Sequence, residues 1–293
     1  MANVATHPSA LHAEREYNLT EVGTIGDAAV PLSGFERLRQ NGAFRRFLVL
    51  VMLAILWEVS ARWAANPLMF PSLTDTLTAF RSDVASGIIP ARALTSLEVL
   101  IMGYSLAITL ATIFTVIAVT SSFGSVVLTT MVSMFNPLPA LAILPLALLW
   151  LGVGTSAIIL VMIQAVVWTV AMNTFAGFQA VPETLRMAGQ NFGLSRISYI
   201  FRILIPAAFP YILTGLKIGW AHAWRTLIGA ELVFGVASRS GGIGWYIFEN
   251  RAQLETAHTF AGLLTVIIIG FLMENLVFRV IERRTVQKWG MMR

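Results

Sequence analysis

The stretch VLIMGYSLAITLATIFTVIAVTSSFGSVVLTTMVSMFNPLPALAILPLALLWLGVGTSAIILVMIQAVVWTVAMNTFAGFQAVP, from Val99 to Pro182, contains no Asp, Glu, Lys, Arg or His. It runs for 84 residues. A helix that crosses a bilayer needs about 20 apolar residues, so this one stretch holds three crossings with their turns. A helix in a soluble core would show a charged or polar face every few residues. In hydrocarbon every backbone N–H and C=O must be paired internally, which leaves helices or closed barrels. A transmembrane barrel alternates polar and apolar residues in segments of about ten, and that alternation is missing here.

The whole composition agrees. Hydrophobic residues make up 57% of the 293 and charged residues only 12%, where a soluble domain carries about 25%. Disorder needs the opposite balance. The chain has no cysteine, which excludes a disulfide scaffold, thiolate zinc sites and iron–sulfur clusters. The net charge is +5. The basic residues flank apolar segments and form no aromatic-interleaved stripe, so they point to membrane orientation and not to nucleic acid.

Six spans follow from the hydropathy pattern: Phe47–Ala65, Leu97–Val119, Val126–Leu146, Ala157–Phe178, Ala207–Phe234 and Phe260–Ile281. Asn136, Pro137, Pro139 and Pro145 interrupt the third, since each proline removes a backbone donor. The expectation there is a kinked span followed by a short re-entrant piece ending near Gly152 and Gly154. With the N-terminus in the cytoplasm, 13 of the 20 Lys and Arg residues fall on the inner side and 5 on the outer, with Lys217 and Arg225 inside the fifth span. That asymmetry places both termini inside and requires an even number of crossings. Residues 1–45 read as a polar cytoplasmic tail without a signal peptide, with a short amphipathic helix around Phe35–Phe44. Residues 46–282 are the six-span body, and residues 283–293 are a basic cytoplasmic tail.

The loop VPETLRMAGQNFGLSRISYIFRILIP, Val181–Pro206, carries the functional signal. Pro182 and Glu183 suit a helix start, with an acid at the positive end of the macrodipole. Ala188, Gly189 and Gly193 form a small-residue face that lets another surface approach the backbone. A short helix at about 183–196, between two crossings, has the form of a docking knob.

This segment resembles the coupling loop of ABC-importer permeases, which reads Glu-Ala-Ala, three residues, Gly, nine residues, Ile, one residue, Leu-Pro. Here Gly193 is followed after nine residues by Ile203, Leu204, Ile205 and Pro206, and Ala188 and Gly189 stand for the Ala pair. Met187 stands where the motif has Glu, and Glu183 and Arg186 are the charges nearest to it. Four further segments are similar to the nitrate, sulfonate, taurine and bicarbonate permeases: MFPSLTDTL at Met69–Leu77, NPLPALAILPLALLWLGVG at Asn136–Gly154, LTGLKIGWAHAWRTLIGAELVFG at Leu213–Gly235 and SGGIGWYI at Ser240–Ile247. TSSFGS at Thr120–Ser125 departs from the family by lacking basic residues.

The resemblance implies an all-α integral membrane protein with the type I ABC-importer permease fold and a cytoplasmic coupling helix. It implies a bacterial inner-membrane, multi-pass subunit that pairs with a second permease copy, with two cytoplasmic ATPase subunits and with an external substrate-binding protein. ATP and Mg would sit on the ATPase; this chain has no P-loop GxxxxGK[ST] and is expected to bind no cofactor. The implied cargo is a small anion such as a sulfonate, taurine, nitrate or an organic acid. Glu183, Arg186, Met187, Ala188, Gly189, Gly193 and Pro206 are the expected ATPase-coupling residues.

Lys217, His222, Arg225 and Glu231 are the candidate residues of the translocation pathway, because ionisable groups within spans usually face a bundle interior or an aqueous cavity. At 100° per residue Lys217 and Arg225 stand about 80° apart and His222 about 60° from Arg225, one broad face. The competing reading is ion pairing between spans, with Lys217 reaching the interface. For the glycine run Gly241-Gly242-Ile243-Gly244, a tight turn or short helix competes with a phosphate nest. Trp150, Trp168, Trp220 and Trp224 read as packing or interfacial residues. Glu58 and Glu274 would serve a proton relay only in the rival class, an ion-gradient-coupled secondary transporter, and otherwise are paired carboxylates. The histidines have no metal-ligand spacing, and no catalytic constellation stands out.

Overall fold

The computed structural model describes residues 41–192, 194–234 and 241–287. The expected amphipathic helix at Phe35–Phe44 falls mostly outside these, as do Gly193, Arg239, Ser240 and the last six residues. A boundary between two compact units follows Ala54. Of the first unit, the described part is mainly the opening turns of α1 (Gly42–Ala64); everything below concerns the second.

The described residues form helices and no strand. After α1 come α2 (Leu73–Ala85), α3 (Ile88–Thr120), α4 (Ser122–Phe135), α5 (Leu144–Leu151) and α6 (Thr155–Gln179). Then follow α7 (Glu183–Asn191), α8 (Arg196–Tyr199) and α9 (Ile205–Phe234), the last two joined by a π-helical turn at Ile200–Leu204. The chain closes with α10 (Ile243–Ala252), α11 (Thr256–Leu272), a π segment at Met273–Phe278, α12 (Arg279–Glu282) and a π turn at Arg283–Gln287.

Among the described residues, five helical stretches are long and apolar enough to cross a membrane: α1, α3, α6, Ile200–Val233 and Thr256–Thr285. The expected third span is not one straight helix. At 14 residues α4 reaches only about 21 Å, short of a hydrocarbon core of about 30 Å. Helix α4 and the segment Ala140–Leu151 meet at 84°. The count is therefore five, or six if the bent pair acts as one span. The physical cause is the expected one, Pro137 and Pro139, which cannot donate to a helix.

The bend is held from α6. Gln164 Nε2 donates to Phe135 O at 3.1 Å, supplying a partner to a carbonyl at the end of α4. Gln164 Oε1 accepts from Trp168 Nε1 at 2.8 Å, and the Trp168 ring stacks on Phe135 at 5.2 Å. Trp168 is thereby packing, as expected, and so are the buried Trp220 and Trp224.

Helix α6 lies at the centre, flanked by α3 and α9. Close approach depends on glycine. Gly215 and Gly219, a G-x-x-x-G pair in α9, lie against Asn173, Val170 and Val166 of α6. Gly177 of α6 receives Tyr211 and Ala208, and Gly103 of α3 receives Met162. Such packing replaces the hydrophobic drive that is missing between helices in lipid. Polar links add to it: Tyr104 OH donates to Leu216 O at 2.7 Å and Thr115 Oγ1 to Ala171 O at 3.3 Å. The outside of the second unit stays apolar, with Leu149 77% and Phe271 65% exposed. Facing water this would be an aggregation surface; facing acyl chains it is the expected one.

Of two short helices, α2 was not foreseen, and α10 was one of the alternatives for the glycine run. Helix α2 starts at Ser72, whose hydroxyl accepts from Asp75 N–H at 3.0 Å and donates to the Asp75 carboxylate at 2.6 Å. The S-x-x-D spacing is a capping signal that was legible in MFPSLTDTL. Helix α10 fills the glycine-rich segment, resolving the turn-or-helix alternative in favour of a helix with Gly242 as its N-cap.

Candidate functional site

Two clusters occupy opposite ends of the helix that runs from α8 through α9. At the first end stands α7. Its Gly189 is buried against Tyr199 and Ile203: a Cβ there would sit 2.5 Å from Tyr199 Cδ2 and 2.8 Å from Ile203 Cδ1. The small-residue position is therefore used inward, to seat α7 on the start of the long helix. Glu183, Leu185 and Met187 are exposed. Arg186 and Ala188 lie within α7, and Pro206 opens the first turn of α9. Helix α7 ends at Asn191, shorter than the expected 183–196, and Gly193 lies outside the described residues.

The structure does not bring the four intramembrane candidates together. Lys217 pairs with two carboxylates of the last span, Glu274 at 2.9 Å and Glu282 at 3.6 Å. This is the competing reading, ion pairing between spans. Glu58 likewise is held by Arg62 at 2.6 Å and by Thr74. Both carboxylates of the proton-relay alternative are thus already partnered.

His222 and Arg225 do meet. They line a cavity of about 400 Å³ together with Thr226, with Gln164 of α6 and with Asn136–Leu141 of the bend. Arg225 is exposed, and its Nε donates to Ala221 O one turn back at 2.9 Å. Among the described residues no carboxylate pairs with it. With its Nε–H spent on Ala221, the guanidinium keeps four donors and a permanent charge, so the cavity presents a cation, an imidazole and amide groups to whatever enters it. The break between α4 and α5 makes the room.

Glu231 turns away from that cavity. It is only 2% exposed. Ser96 Oγ donates to its carboxylate at 2.9 Å, and Gly244 N–H donates to Oε2 at 2.8 Å. Ser96 Oγ in turn accepts from Ile243 N–H at 2.9 Å. The glycine run does form an anion-receiving helix start, but the anion it receives is the chain's own carboxylate.

Helix α10 is fastened at two further places. Arg92 of α3 donates to Gly241 O at 3.4 Å and pairs with Glu249 at 3.3 Å. Tyr246 OH donates to Asp83 of α2, whose Oδ2 also lies 2.6 Å from His258 Nδ1 on α11. Burial, and then the hydrogen bond and charge of Asp83, push the Tyr246 phenol above its usual pKa. The sequence reading missed Ser96, Asp83 and Tyr246. Asp83 and Tyr246 lie outside the apolar spans, and Ser96 has no signature as a lone serine.

With this geometry described, the comparison with known proteins is decisive. Residues 103–287 match the family described as binding-protein-dependent transport system inner membrane component. The chain belongs to that family. The taurine transport system permease protein of Escherichia coli (strain K12) is 31% identical over 239 residues, 80% of this chain and 85% of the relative. A nitrate import permease protein of Synechocystis sp. is 31% identical over 62% of this chain and 65% of its own length. A putative aliphatic sulfonates transport permease protein of Bacillus subtilis (strain 168) is 25% identical over 89% of this chain and 95% of its own. The permease is thus a multi-pass inner-membrane transport component of the ABC-importer type, and its family is one of permeases and not of enzymes. The all-helical architecture is consistent with the type I permease fold, and the ion-gradient alternative finds no support.

Proposed function

We propose that this permease forms, with a second copy of itself, the pathway by which a small anion crosses the inner membrane. The observation that carries the reading is the cavity at the bend, where Arg225 and His222 converge and, among the described residues, no carboxylate pairs with them. A group of this kind within a span costs free energy that only a function offsets. The names of the relatives, taurine, nitrate and aliphatic sulfonates, share one chemistry: an oxyanion. A guanidinium fork matches that geometry.

Energy comes from two separate ATPase subunits on the cytoplasmic side, and an external binding protein delivers the solute. The charge asymmetry of the sequence supports placing α7 and both termini in the cytoplasm. Helix α7 serves as the coupling helix, with Met187 and Leu185 presented to the ATPase. Closure of the ATPase dimer draws two copies of α7 together, and the bundles rock between inward and outward openings.

The test is uptake of radiolabelled taurine and of nitrate into proteoliposomes holding the permease, its ATPase and its binding protein. ATP-driven uptake is expected. Arg225→Gln should lower it about tenfold or more, the cost of one charge-assisted contact, while the ATPase still co-purifies. Gly189→Leu should release the ATPase by unseating α7. Uptake driven by a proton or sodium gradient without ATP would overturn the reading.

A further inference from the structure

Helix α10 cannot cap itself. Its N-cap is Gly242, which has no side chain, and its first N–H groups lie in a buried place. Buried helix donators without partners are costly. Two residues from other helices serve them: Glu231 receives Gly244 N–H, and Ser96 receives Ile243 N–H while donating to Glu231. A carboxylate at a helix start also meets the favourable end of the dipole. The glycines make the approach possible. A Cβ on Gly242 would collide with the Glu231 carboxylate and Ser96 Oγ, and one on Gly244 would stand 2.5 Å from Glu231 Cβ and 2.8 Å from Ile228 O.

Glu231 is also nearly the last residue of the long helix whose first turn seats α7. From Tyr199 to Glu231 the helix is unbroken, through the π turn and α9. At 1.5 Å per residue that is a rod of about 48 Å. One end holds Gly189 of α7 against Tyr199, and the other holds the start of α10.

We infer that Glu231 is a positioning residue for transport, the joint through which the α9 rod moves α10. A displacement imposed on α7 is carried along the rod and delivered to α10 by Glu231. Helix α10 then shifts against its other anchors, Arg92 and Asp83. The inference rests on α7 being the ATPase contact. It differs from a purely structural cap, which would alter stability and leave the response to nucleotide unchanged.

The chain has no cysteine, so a single reporter can be read cleanly. Ile247→Cys places a thiol on a buried face of α10. Its rate of maleimide labelling is measured in nanodiscs on the permease–ATPase complex, with ATP plus vanadate and without nucleotide. In the Glu231 background the two rates should differ about tenfold, within the usual range of coupling between sites. With Glu231→Gln, which keeps the volume but replaces one of the two acceptor oxygens that Ser96 Oγ and Gly244 N–H share by an NH2 donor and removes the carboxylate charge, the ratio should fall to about one while the ATPase stays bound. Ser96→Ala, a milder break of the same joint, should give an intermediate ratio and decides the matter if Glu231→Gln fails to insert. An undiminished ratio in the variant that inserts, even with a lowered melting temperature, overturns the inference. A reporter chain with native Glu231 that binds no ATPase overturns instead the reading beneath it, and the inference with it.

Discussion

Asp83 and His258, 175 residues apart in the chain, meet at 2.6 Å between Oδ2 and Nδ1, and Tyr246 OH donates to the same carboxylate oxygen. One buried acceptor thus ties α2, α10 and α11 together. The arrangement has a pH consequence through Tyr246, whose phenol is held above its usual pKa by burial and by Asp83. A raised folded-state pKa leaves the stability contributed by the group intact below the unfolded value. It is lost as the pH climbs past that value towards the folded one. The melting temperature of the native permease should therefore fall more steeply between about pH 10 and about pH 11 than that of Tyr246→Phe. At neutral pH the variant should be less stable by about 1 kcal/mol, the net worth of a buried hydrogen bond. Parallel alkaline slopes in a thermal melt would refute this account.

Gln164 bridges Phe135 O and Trp168 Nε1. Gln164→Leu matches it in size but leaves the buried indole N–H orphaned and strips one partner from the carbonyl. A loss of about 2 kcal/mol is expected, and it should be local to the bend. Hydrogen exchange measured by mass spectrometry should rise in Val132–Leu138 and stay unchanged in α10. Unchanged exchange at the bend would show that the prolines alone hold it.

Lys217 and Glu274 pair at 2.9 Å, with Lys217 29% and Glu274 57% exposed by side chain. A pair so open is worth about 1 kcal/mol or less. Lys217→Glu should destabilise more than the pair is worth, because three acids would then face one another with Glu282 nearby. The double exchange Lys217→Glu with Glu274→Lys should recover most of the lost melting temperature. Taurine and nitrate uptake should follow stability in these variants, in contrast to Arg225→Gln. An exchange that restores the melting temperature but not uptake would return Lys217 to the pathway.

Much of this was legible in the residues. Val99–Pro182 sets the membrane class because lipid admits no unpaired backbone, and long uncharged helices are the simplest solution. Pro137 and Pro139 marked the bend, since a missing N–H is a local fact. The segment before Pro206 does hold the expected short helix, α7, which ends at Asn191 and is shorter than the expected 183–196. The helix wheel grouped His222 with Arg225 because both lie within one turn, where local geometry governs direction.

The wheel grouped Lys217 with Arg225 but could not show its partners, and Glu231, a candidate of the same span, turned elsewhere, for a physical reason. Periodicity tells which residues share a face, but the groups opposite that face come from distant parts of the chain. Glu274 and Glu282 neutralise Lys217 from the last span, and Ser96 reaches Glu231 across 135 residues. The sequence by itself determined that this protein is a helical bundle in lipid of the importer-permease family. Only the tertiary structure decided that Lys217 and Glu231 are partnered within the chain while Arg225, exposed, lines a cavity. That outcome depends on how α3, α6, α9 and the last span pack through small residues to bring their polar atoms within about 3 Å, the range in which a hydrogen bond forms.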